Sequence, residues 1–365
     1  MQKFNIDPDI RKAQTLPGAF YRDAITFELV KEKIFTQCWL YAADSSVVAQ
    51  PKQVHPVNLL PGVLNEPIVF AKDTAAKVHC LSNVCTHRAK LVVEEAGTCA
   101  QLRCDYHGRC FHLDGTFKRM PAFEEAENFP SEADHLPKVP FAEWLNLFFV
   151  AINPIAPFEE MVKPIQDRLN WLPFDTLEFV ETGTKDYPVN ANWALYIDNY
   201  LEGLHIPFVH PALNQALDFK QYEYEIFPFC NLQLGIAEEG EPCFDIPEGH
   251  QDYGRNVYAY YFWLFPNIMF NVYPWGVSFN SIDPVSHDKT LVRFRSYKFK
   301  EVDLDYTVTQ LDKTEMEDEY VVESVQKGVQ SRFYQAGRFS PSMEPCVHHF
   351  HRLIQQCINP DDNDQ

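Results

Sequence analysis

The chain has 365 residues, of which 46% are hydrophobic and 22% are charged, proportions that are ordinary for a soluble globular protein. A formal net charge of −20 at pH 7, with no cluster of Lys and Arg, excludes the basic face that a nucleic-acid or anionic-membrane binder needs. The length exceeds what one hydrophobic core usually supports, so we expect two domains or one domain with an insertion.

The N-terminal residues lack the apolar segment of a signal peptide, and no stretch approaches the roughly 18 apolar residues that span a bilayer. We therefore expect a cytoplasmic protein that has no membrane partner. The ten cysteines then predict metal ligands and buried thiols, because the cytosol keeps thiols reduced and disfavours a disulfide framework.

The first elements in chain order are an amphipathic helix followed by short strands. Apolar residues at helical spacing predict a helix over 25–40. After residue 41, turn residues separate short β-type runs that predict a hairpin over 67–81, a second hairpin at Asp114-Gly115, a buried strand over 144–152 and a Pro-rich linker over 153–164.

The second half of the chain mixes helices with long aromatic strands. The stretch 176–205 changes from strand to helix, 256–285 and 290–300 are aromatic-rich strands, and 313–334 and 344–357 are helices. This organisation predicts an N-terminal helical segment over 1–40, an all-β domain over 41–153 and an α+β domain over 154–365.

Cysteines and histidines cluster in residues 104–112, "CDYHGRCFH". One interpretation is a single zinc ion held by Cys104, His107, Cys110 and His112, although these spacings would require a very tight knuckle. The other adds the upstream "CTHR" and gives Cys-x-His, sixteen residues, Cys-x-x-His. Two such loops suit a Rieske [2Fe–2S] cluster, whose irons are bound by two cysteines and by two histidines.

The sequence "CTHRAK…CDYHGRCFHLDGTF" resembles the Rieske domain of the ring-hydroxylating oxygenase α subunits. The resemblance implies that the cluster ligands are Cys85, His87, Cys104 and His107. Two positions depart from the family, which usually has Gly at the position of Ala89 and often Trp at the position of Arg109. The remaining cysteines are expected to be structural thiols.

A possible iron site follows in "DNYLEGLHIPFVHP", residues 198–211. On a helix, Asp198, Glu202 and His205 would share one face, Pro207 would end the helix, and His210 would follow within reach. The segment resembles the iron motif of the same family. By that resemblance His205 and His210 bind iron, and Glu202 is the acid that links the iron to the cluster of a neighbouring subunit. We take Glu202 and Asp198 as candidate catalytic acids.

The predicted helix over 313–334 offers a third iron ligand. On a helical wheel, Asp318 falls in an apolar stripe with Val322, Val325 and Val329, and at a wider angle with Phe333. A buried carboxylate needs a cation or a good hydrogen-bond partner, so an iron or a core arginine would explain it. The family also places its third ligand on a late helix that resembles "EDEYVVESVQKGVQS". Glu317, off the stripe, is the weaker candidate.

The strand-rich stretch 258–279 supplies candidates for a substrate pocket. Most of its aromatic residues are expected in the sheet core, and the pool from which some face the iron is Tyr258, Tyr260, Phe262, Phe270, Tyr273 and Trp275. Such a pocket suits an aromatic ring or a quaternary ammonium group. The family contains both ring dihydroxylases and oxygenases of choline-like or betaine-like compounds. The stretch "FPNIMFNVYPWG" is somewhat more similar to the second branch.

The resemblance covers nearly the whole chain and implies an α+β enzyme: an all-β Rieske domain followed by a helix-grip (Bet v 1/START-like) catalytic domain with an antiparallel sheet. We expect a terminal mono- or dioxygenase that contains a [2Fe–2S] cluster and Fe(II) and uses O₂ on a small organic substrate. No G-x-G-x-x-G motif is present, so electrons should come from a separate NAD(P)H-dependent reductase or ferredoxin. A homotrimer is expected. The alternatives are a Rieske electron carrier with a non-catalytic binding domain and a zinc-stabilised interaction protein.

Overall fold

The computed structural model describes residues 4–211, 213–216, 221–300, 302 and 308–359, with backbone alone at 214, 216 and 308–313. The chain divides into two compact units: Thr36–Ile155, and Met1–Phe35 together with Ala156–Gln365. Each unit has its own sheet structure. No described helix is both long and apolar enough to cross a membrane.

The unit Thr36–Ile155 consists of short antiparallel strands in three small sheets, with strand orders β1-β10-β9, β4-β3-β2-β5 and β6-β7-β8. The strands are β1 Leu40–Asp44, β2 Gln53–Leu59, β3 Glu66–Lys72, β4 Val78–Ser82, β5 Gly97–Thr98, β6 Leu102–Arg103, β7 Cys110–Phe111, β8 Phe117–Arg119, β9 Phe141–Trp144 and β10 Leu147–Val150. Short 3₁₀ helices occupy Ser45–Val48 and Glu132–Asp134.

Both predicted hairpins of this unit are confirmed. Strands β3 and β4 pair antiparallel, and the Asp73 carboxylate accepts hydrogen bonds from the backbone N–H groups of Ala75 and Lys77 in the turn. At the second turn, Gly115 has φ +86, a conformation that glycine adopts without steric cost, and an added Cβ would lie 2.8 Å from Leu81 Cδ2. Turn residues therefore set the strand boundaries here.

The predicted buried strand over 144–152 is confirmed at Leu147–Val150 as β10, which is buried along its whole length, but its first residues belong to a hairpin turn. Strands β9 and β10 pair antiparallel and are joined by Leu145 and Asn146, both with positive φ. Two successive residues with positive φ form the turn that matches the twist of a tight hairpin. The run of apolar residues concealed this turn, because neither glycine nor proline marks it.

The larger unit is built on an antiparallel sheet of seven described strands, in the order β11-β17-β16-β15-β14-β13-β12. Its strands are β11 Leu177–Val189, β12 Glu223–Ile226, β13 Cys230–Ile236, β14 Val257–Leu264, β15 Ile268–Tyr273, β16 Gly276–Ser286 and β17 Lys289–Phe299. The helices are α1 Gly18–Arg22, α2 Ala24–Val30, α3 Phe158–Leu169, α4 Trp193–Tyr200, α5 Ile206–Val209, α6 Leu213–Ala216, α7 Val308–Gly328 and α8 Pro345–Ile358. A π-helical turn at Lys31–Phe35 and a 3₁₀ helix at Phe174–Thr176 complete the described elements.

The expected α+β class with an antiparallel sheet is confirmed, while several boundaries differ. The predicted helix over 25–40 ends with the π-helical turn and is followed by β1. The predicted linker contains α3, which tolerates Pro164 in its interior. Helix α7 extends further toward the N-terminus than its apolar pattern and ends at Gly328, whereas α8 lies within one residue of its prediction.

Helices cover both faces of the large sheet. Along β14, Tyr260 contacts the guanidinium of Arg168 from α3, whereas Trp263 packs against Phe350 of α8. Residues of odd and even number on a strand point to opposite faces, so these two contacts identify opposite sides of the sheet. Helix α4 packs on β16 and also against α7. The α4–α7 contact brings the predicted iron ligands together.

Candidate metal centres and cavity

His205, His210 and Asp318 converge in the larger unit, with one potential ligand atom of each within 4.8 Å of the others. Asp318 Oδ1 lies 2.9 Å from His210 Nε2 and 3.6 Å from His205 Nε2. Within the described chain, this is the one group of three such ligands so close together. Two imidazoles and one carboxylate form the donor set of mononuclear iron sites that keep open coordination positions.

The local backbone differs from the continuous helix that the sequence predicted. Helix α4 ends at Tyr200, and α5 is a separate helix that begins after His205 and ends before His210. Pro207 therefore lies in the first turn of α5 rather than ending a helix, a position where the missing N–H costs nothing. The two histidines flank a single helical turn, which brings their ring centroids to 5.1 Å.

Carboxylates orient both histidine rings. Glu202 Oε1 lies 2.7 Å from His205 Nδ1, and Glu317 Oε2 lies 2.9 Å from His210 Nδ1. Each Nδ1–H donates to its carboxylate, which leaves Nε2 with a free lone pair for a metal ion. Asn199 Nδ2 donates to Asp318 Oδ1 at 2.6 Å. The donor set and its hydrogen bonds thus fit Fe(II).

The electrostatics of His210 also indicate a cation site. Burial of the ring favours its neutral form, but the hydrogen bonds and charges of Asp318 and Glu317 outweigh this effect and raise the pKa of His210. Two carboxylates around one buried imidazole create a negative environment. A divalent cation on Nε2 would neutralise it.

Asp198 lies elsewhere. Its Oδ1 is 2.8 Å from His351 Nε2, and its Oδ2 accepts a 2.7 Å hydrogen bond from the Tyr21 hydroxyl. The predicted alignment of Asp198 with Glu202 and His205 on one helix face is wrong, because α4 ends between Asp198 and Glu202. Asp198 does not line the cavity beside the predicted iron ligands.

The predicted cluster ligands lie in two loops of the unit Thr36–Ile155 that share one backbone pattern. In the first loop, Cys85 N–H donates to Lys90 O and Ala89 N–H donates to Cys85 O. In the second, Cys104 N–H donates to Arg109 O and Gly108 N–H donates to Cys104 O. Ala89 and Gly108 occupy equivalent positions, with φ of +56 and +75. This explains why the resembling family usually has glycine where this chain has Ala89.

The four side chains of these loops fit an iron–sulfur cluster. Cys85 and Cys104 are 3% and 2% exposed, and His87 Nδ1 lies 3.1 Å from His107 Nδ1. Burial raises the pKa of the Cys85 thiol, and the neighbouring Cys104 raises it further, so paired thiolates here need the positive charge of bound iron. The alternative zinc ligands of residues 104–112 do not converge on one point within the described chain.

Arg109, the second departure from the resembling family, is a buried cation beside the cluster loop. Its side chain is 2% exposed, and its guanidinium donates to Asp134 Oδ1 at 2.6 Å. The same group lies 5.1 Å from the ring centroid of Phe117 and 5.5 Å from that of Phe129. An ion pair inside an aromatic pocket therefore occupies this position.

A cavity of about 310 Å³ opens beside His205, His210 and Asp318. Tyr258, Tyr273 and Trp275 of the predicted pool line it. The other three aromatic residues of that pool do not: Tyr260, Phe262 and Phe270 are buried and absent from its wall, and the Tyr260 hydroxyl donates to Asp252. Tyr200, Tyr222 and Tyr261 also line the cavity, although no pattern in the sequence predicted them there.

The cavity rings form a connected cluster. Tyr273 and Trp275 stack with centroids 4.9 Å apart and planes 5° from parallel. Tyr258 meets Trp275 edge-on at 5.8 Å, and Tyr261 meets Tyr273 edge-on at 5.9 Å. Ring faces carry negative partial charge, so such a wall attracts apolar groups and also quaternary ammonium cations.

Two family models match this chain: "Ring hydroxylating alpha subunit (catalytic domain)" over residues 174–359 and "Rieske [2Fe-2S] domain" over residues 38–130. The carnitine monooxygenase oxygenase subunit of Escherichia coli K12 is 29% identical over 369 residues, covering 95% of this chain and 94% of its own length. The chloroplastic choline monooxygenase of Arabidopsis thaliana is 27% identical over 372 residues, covering 95% of this chain and 84% of its own length.

Solved structures agree with these sequence relatives. A quaternary ammonium Rieske monooxygenase, described with inter-subunit electron transfer and carnitine oxidation, superposes with a TM-score of 0.79 at 25% identity, covering 98% of this chain and 100% of its own. A naphthalene 1,2-dioxygenase from Rhodococcus superposes with a TM-score of 0.72 at 18% identity, covering 95% of each chain. The second likeness concerns the fold alone.

Proposed function

The chain belongs to the ring-hydroxylating alpha-subunit family and is a Rieske-type oxygenase, and from that premise we propose that it hydroxylates a quaternary ammonium compound. One observation carries the proposal: His205, His210 and Asp318 converge at the wall of a cavity lined by tyrosines and a tryptophan. Relatives named for carnitine and choline oxidation support the substrate class.

His205, His210 and Asp318 hold the mononuclear iron, and the iron supplies oxygen activation when bound. Glu202 and Glu317 keep the proton of each imidazole on Nδ1, so that both Nε2 atoms remain available to the metal. Asn199 fixes the Asp318 carboxylate by donating to Oδ1. The protein thus orients the ligands before iron binds.

Cys85, Cys104, His87 and His107 hold the [2Fe–2S] cluster. The cysteine side of this site is buried, whereas His107 is exposed. The histidine side of the site therefore faces the surface of its unit, where an electron donor or acceptor could approach a bound cluster. Glu202 is hydrogen-bonded to His205. It is the acid that links the iron site to the cluster of a neighbouring subunit for electron transfer.

A Rieske oxygenase needs a separate electron donor, and an NAD(P)H-dependent reductase or a ferredoxin fills that role here. The sequence contains no G-x-G-x-x-G motif for a nicotinamide or flavin of its own. The functional form is a homotrimer. Inter-subunit electron transfer, described for the similar quaternary ammonium monooxygenase, supports this assembly.

The variant H210A tests the iron site. Wild-type protein purified without oxygen should contain about three irons and two acid-labile sulfides per chain, two of the irons in the cluster. The variant should contain about two irons, keep the visible spectrum and reducibility of the cluster, and lose substrate-dependent O₂ uptake. Choline and γ-butyrobetaine are suitable substrates for the assay, with chemically reduced cluster as the electron source.

His287 provides the matched control, since it lies far from the metal ligands in sequence and contacts Asp288 near the surface. H287A should retain both iron populations and O₂ uptake. Turnover by H210A would show that the iron site is misplaced. Two irons in the wild-type protein would instead indicate a Rieske electron carrier, and zinc without sulfide would overturn both metal assignments.

A further inference from the structure

The cavity beside the iron ligands is acidic. Apart from its tyrosines, the ionisable side chains on its wall are the two histidines of the iron site and four carboxylates: Glu202, Glu241, Glu315 and Asp318. No lysine or arginine occurs among its described lining residues. Glu315 is 4% exposed, and its Oε2 accepts a 2.5 Å hydrogen bond from the Tyr196 hydroxyl. Negative charge is therefore built into the wall.

This charge distribution discriminates between quaternary ammonium compounds. Choline is a simple cation, whereas carnitine, γ-butyrobetaine and glycine betaine carry a carboxylate in addition to the ammonium group. A carboxylate in this cavity would meet no described lysine or arginine. Fe(II) bound by Asp318 would keep one positive charge, and the carboxylates of Glu202, Glu315 and Glu317 around the site would offset that charge.

A buried hydrogen-bond acceptor lies on the same wall. Gln233 is 1% exposed, and its Nε2 donates to the backbone carbonyl of Tyr200 at 2.7 Å. That bond fixes the orientation of the amide. The other end, Oε1, is buried and has no hydrogen-bond partner within the described chain. A buried acceptor without a donor is costly, so the site requires a donor group.

Neighbouring strands place Gln233 on the cavity side of the sheet. In register, Gln233 of β13 lies opposite Tyr261 of β14, which lies opposite Asn271 of β15, and all three line the cavity. The Asn271 carbonyl oxygen is already occupied, because it accepts from the Tyr200 hydroxyl. Of the two amide oxygens in this row, Gln233 Oε1 is thus the one that remains for a ligand.

Building on the proposed function, we propose that the substrate is a quaternary ammonium cation that has a hydroxyl group and no carboxylate, and that Gln233 Oε1 accepts the hydroxyl hydrogen. The aromatic wall of Tyr258, Tyr273 and Trp275 holds the ammonium group. A hydroxyl can donate a hydrogen bond to Gln233 Oε1. A carboxylate can only accept, so neither Gln233 Oε1 nor the carboxylate itself would gain a donor.

The test is calorimetric titration of anaerobic, iron-loaded protein with three ligands of similar size: choline, its O-methyl ether and glycine betaine. Choline should bind about threefold to tenfold more tightly than the ether, which lacks the donor. Glycine betaine should bind at least about tenfold more weakly than choline, because its carboxylate meets like charge. This comparison uses the wild-type protein, so it does not depend on the folding of any variant.

The variant Q233L tests the acceptor itself. It should lower the affinity for choline to that for the ether and leave the affinity for the ether unchanged, since the ether donates nothing to Oε1. The surface variant Q335L is the matched control and should retain the wild-type preference. Retention of the choline preference in Q233L would show that another group accepts the hydroxyl and would overturn the assignment of Gln233.

Failure of this inference is distinguishable from failure of the proposed function. If glycine betaine binds as tightly as choline, or the ether as tightly as choline, the inference is overturned, while O₂ uptake with either compound keeps the oxygenase assignment. If no quaternary ammonium ligand binds and none stimulates O₂ uptake, the proposed substrate class falls and this inference falls with it.

Discussion

Glu317 and Asp318 are adjacent on α7, yet their carboxylates meet opposite nitrogens of the same His210 ring. Asp318 Oδ1 lies 2.9 Å from Nε2, and Glu317 Oε2 lies 2.9 Å from Nδ1. Neighbouring residues on a helix point about 100° apart, so a ring inserted between them can contact both. This geometry fits the proposed roles, in which Asp318 binds the metal and Glu317 orients the ring.

We expect E317Q to weaken iron binding by about tenfold to a hundredfold, because the amide keeps the shape of the side chain but loses the charge that orients and polarises His210. Competition with a chelator of known affinity measures the effect, and the cluster spectrum should not change. E323Q is the matched control: Glu323 is on the same helix but accepts from Asn190. Equal iron affinity in wild type and E317Q would contradict the orienting role.

His349 of α8 is a buried imidazole outside the metal sites. Burial lowers the pKa of His349 to about 4, and the charges of His348 and Arg352 act in the same direction. The unfolded chain takes up this proton near pH 6.5, whereas the folded chain resists it until about pH 4. Above pH 6.5 the His349 ring is neutral in both states and does not favour unfolding. As the pH falls from 6.5 toward 4, protonation of the unfolded chain lowers the free energy of unfolding.

From this shift we expect the wild-type free energy of unfolding to lose roughly 2 kcal/mol between pH 7 and pH 5 through His349 alone. H349N has no group that titrates in this range, so its stability should decrease less over the same interval. Urea unfolding at the two pH values, followed by far-UV circular dichroism, measures the difference. Identical pH dependence in the two proteins would show that His349 is protonated equally in the folded and unfolded states.

At the scale of elements, the sequence predicted those parts of the fold that local patterns encode. Turn chemistry marked the hairpin at Asp114-Gly115, and the placement of Asp318 on the apolar side of α7 pointed to the residue that meets both histidines. The predicted apolar stripe was only partly right: Val322 and Val329 are buried, but Val325 is 42% exposed, and Phe333 lies beyond the end of α7 and is 99% exposed.

The cavity could not be predicted in the same way. Strand β14 is apolar on both faces, so alternation does not show which face meets the iron, and half of the predicted pool lies away from the cavity. Tyr222, just before β12, and Gln233 of β13 come from other parts of the chain, and the register of β13 with β14 places Gln233 opposite Tyr261. Nothing local distinguishes them from ordinary sheet residues.

Asp198 joins three helical elements. His351 of α8 accepts from the backbone N–H of Leu16 through Nδ1, so its neutral ring carries the proton on Nε2 and donates to Asp198 of α4. Tyr21 of α1 donates to the other oxygen of Asp198. This network ties α1 and α8 to α4, the helix that precedes the predicted iron ligands.

H351A should lower the free energy of unfolding by about 3 kcal/mol, because it leaves a cavity and deprives both the Leu16 N–H and the Asp198 carboxylate of a buried partner. H348A is the matched control on the same helix. It removes a single hydrogen bond to the Asp7 carbonyl and should cost less. Urea unfolding at pH 7 compares the two, and an equal or smaller loss in H351A would contradict the network's structural role.

At the scale of the whole molecule, both predicted metal sites lie beside exposed apolar residues. Tyr106, next to the predicted cluster ligand His107, is 59% exposed. Leu204 and Phe208, close in sequence to the predicted iron ligand His205, are 39% and 84% exposed. Exposed apolar groups around a site are typical of a surface that another protein chain covers. The proposed homotrimer would bury them where the cluster of one chain meets the iron site of another.

We therefore expect light scattering to give a mass close to three times the 42.4 kDa of one chain. F208E should dissociate this assembly, because the interface would have to bury an unpaired charge. The separated chains should keep iron and sulfide but lose O₂ uptake, since the cluster could no longer reach the iron of another chain. I25E, at a residue that is 82% exposed in α2, is the control and should remain assembled. Full turnover by a monomeric F208E would show instead that each chain transfers electrons internally.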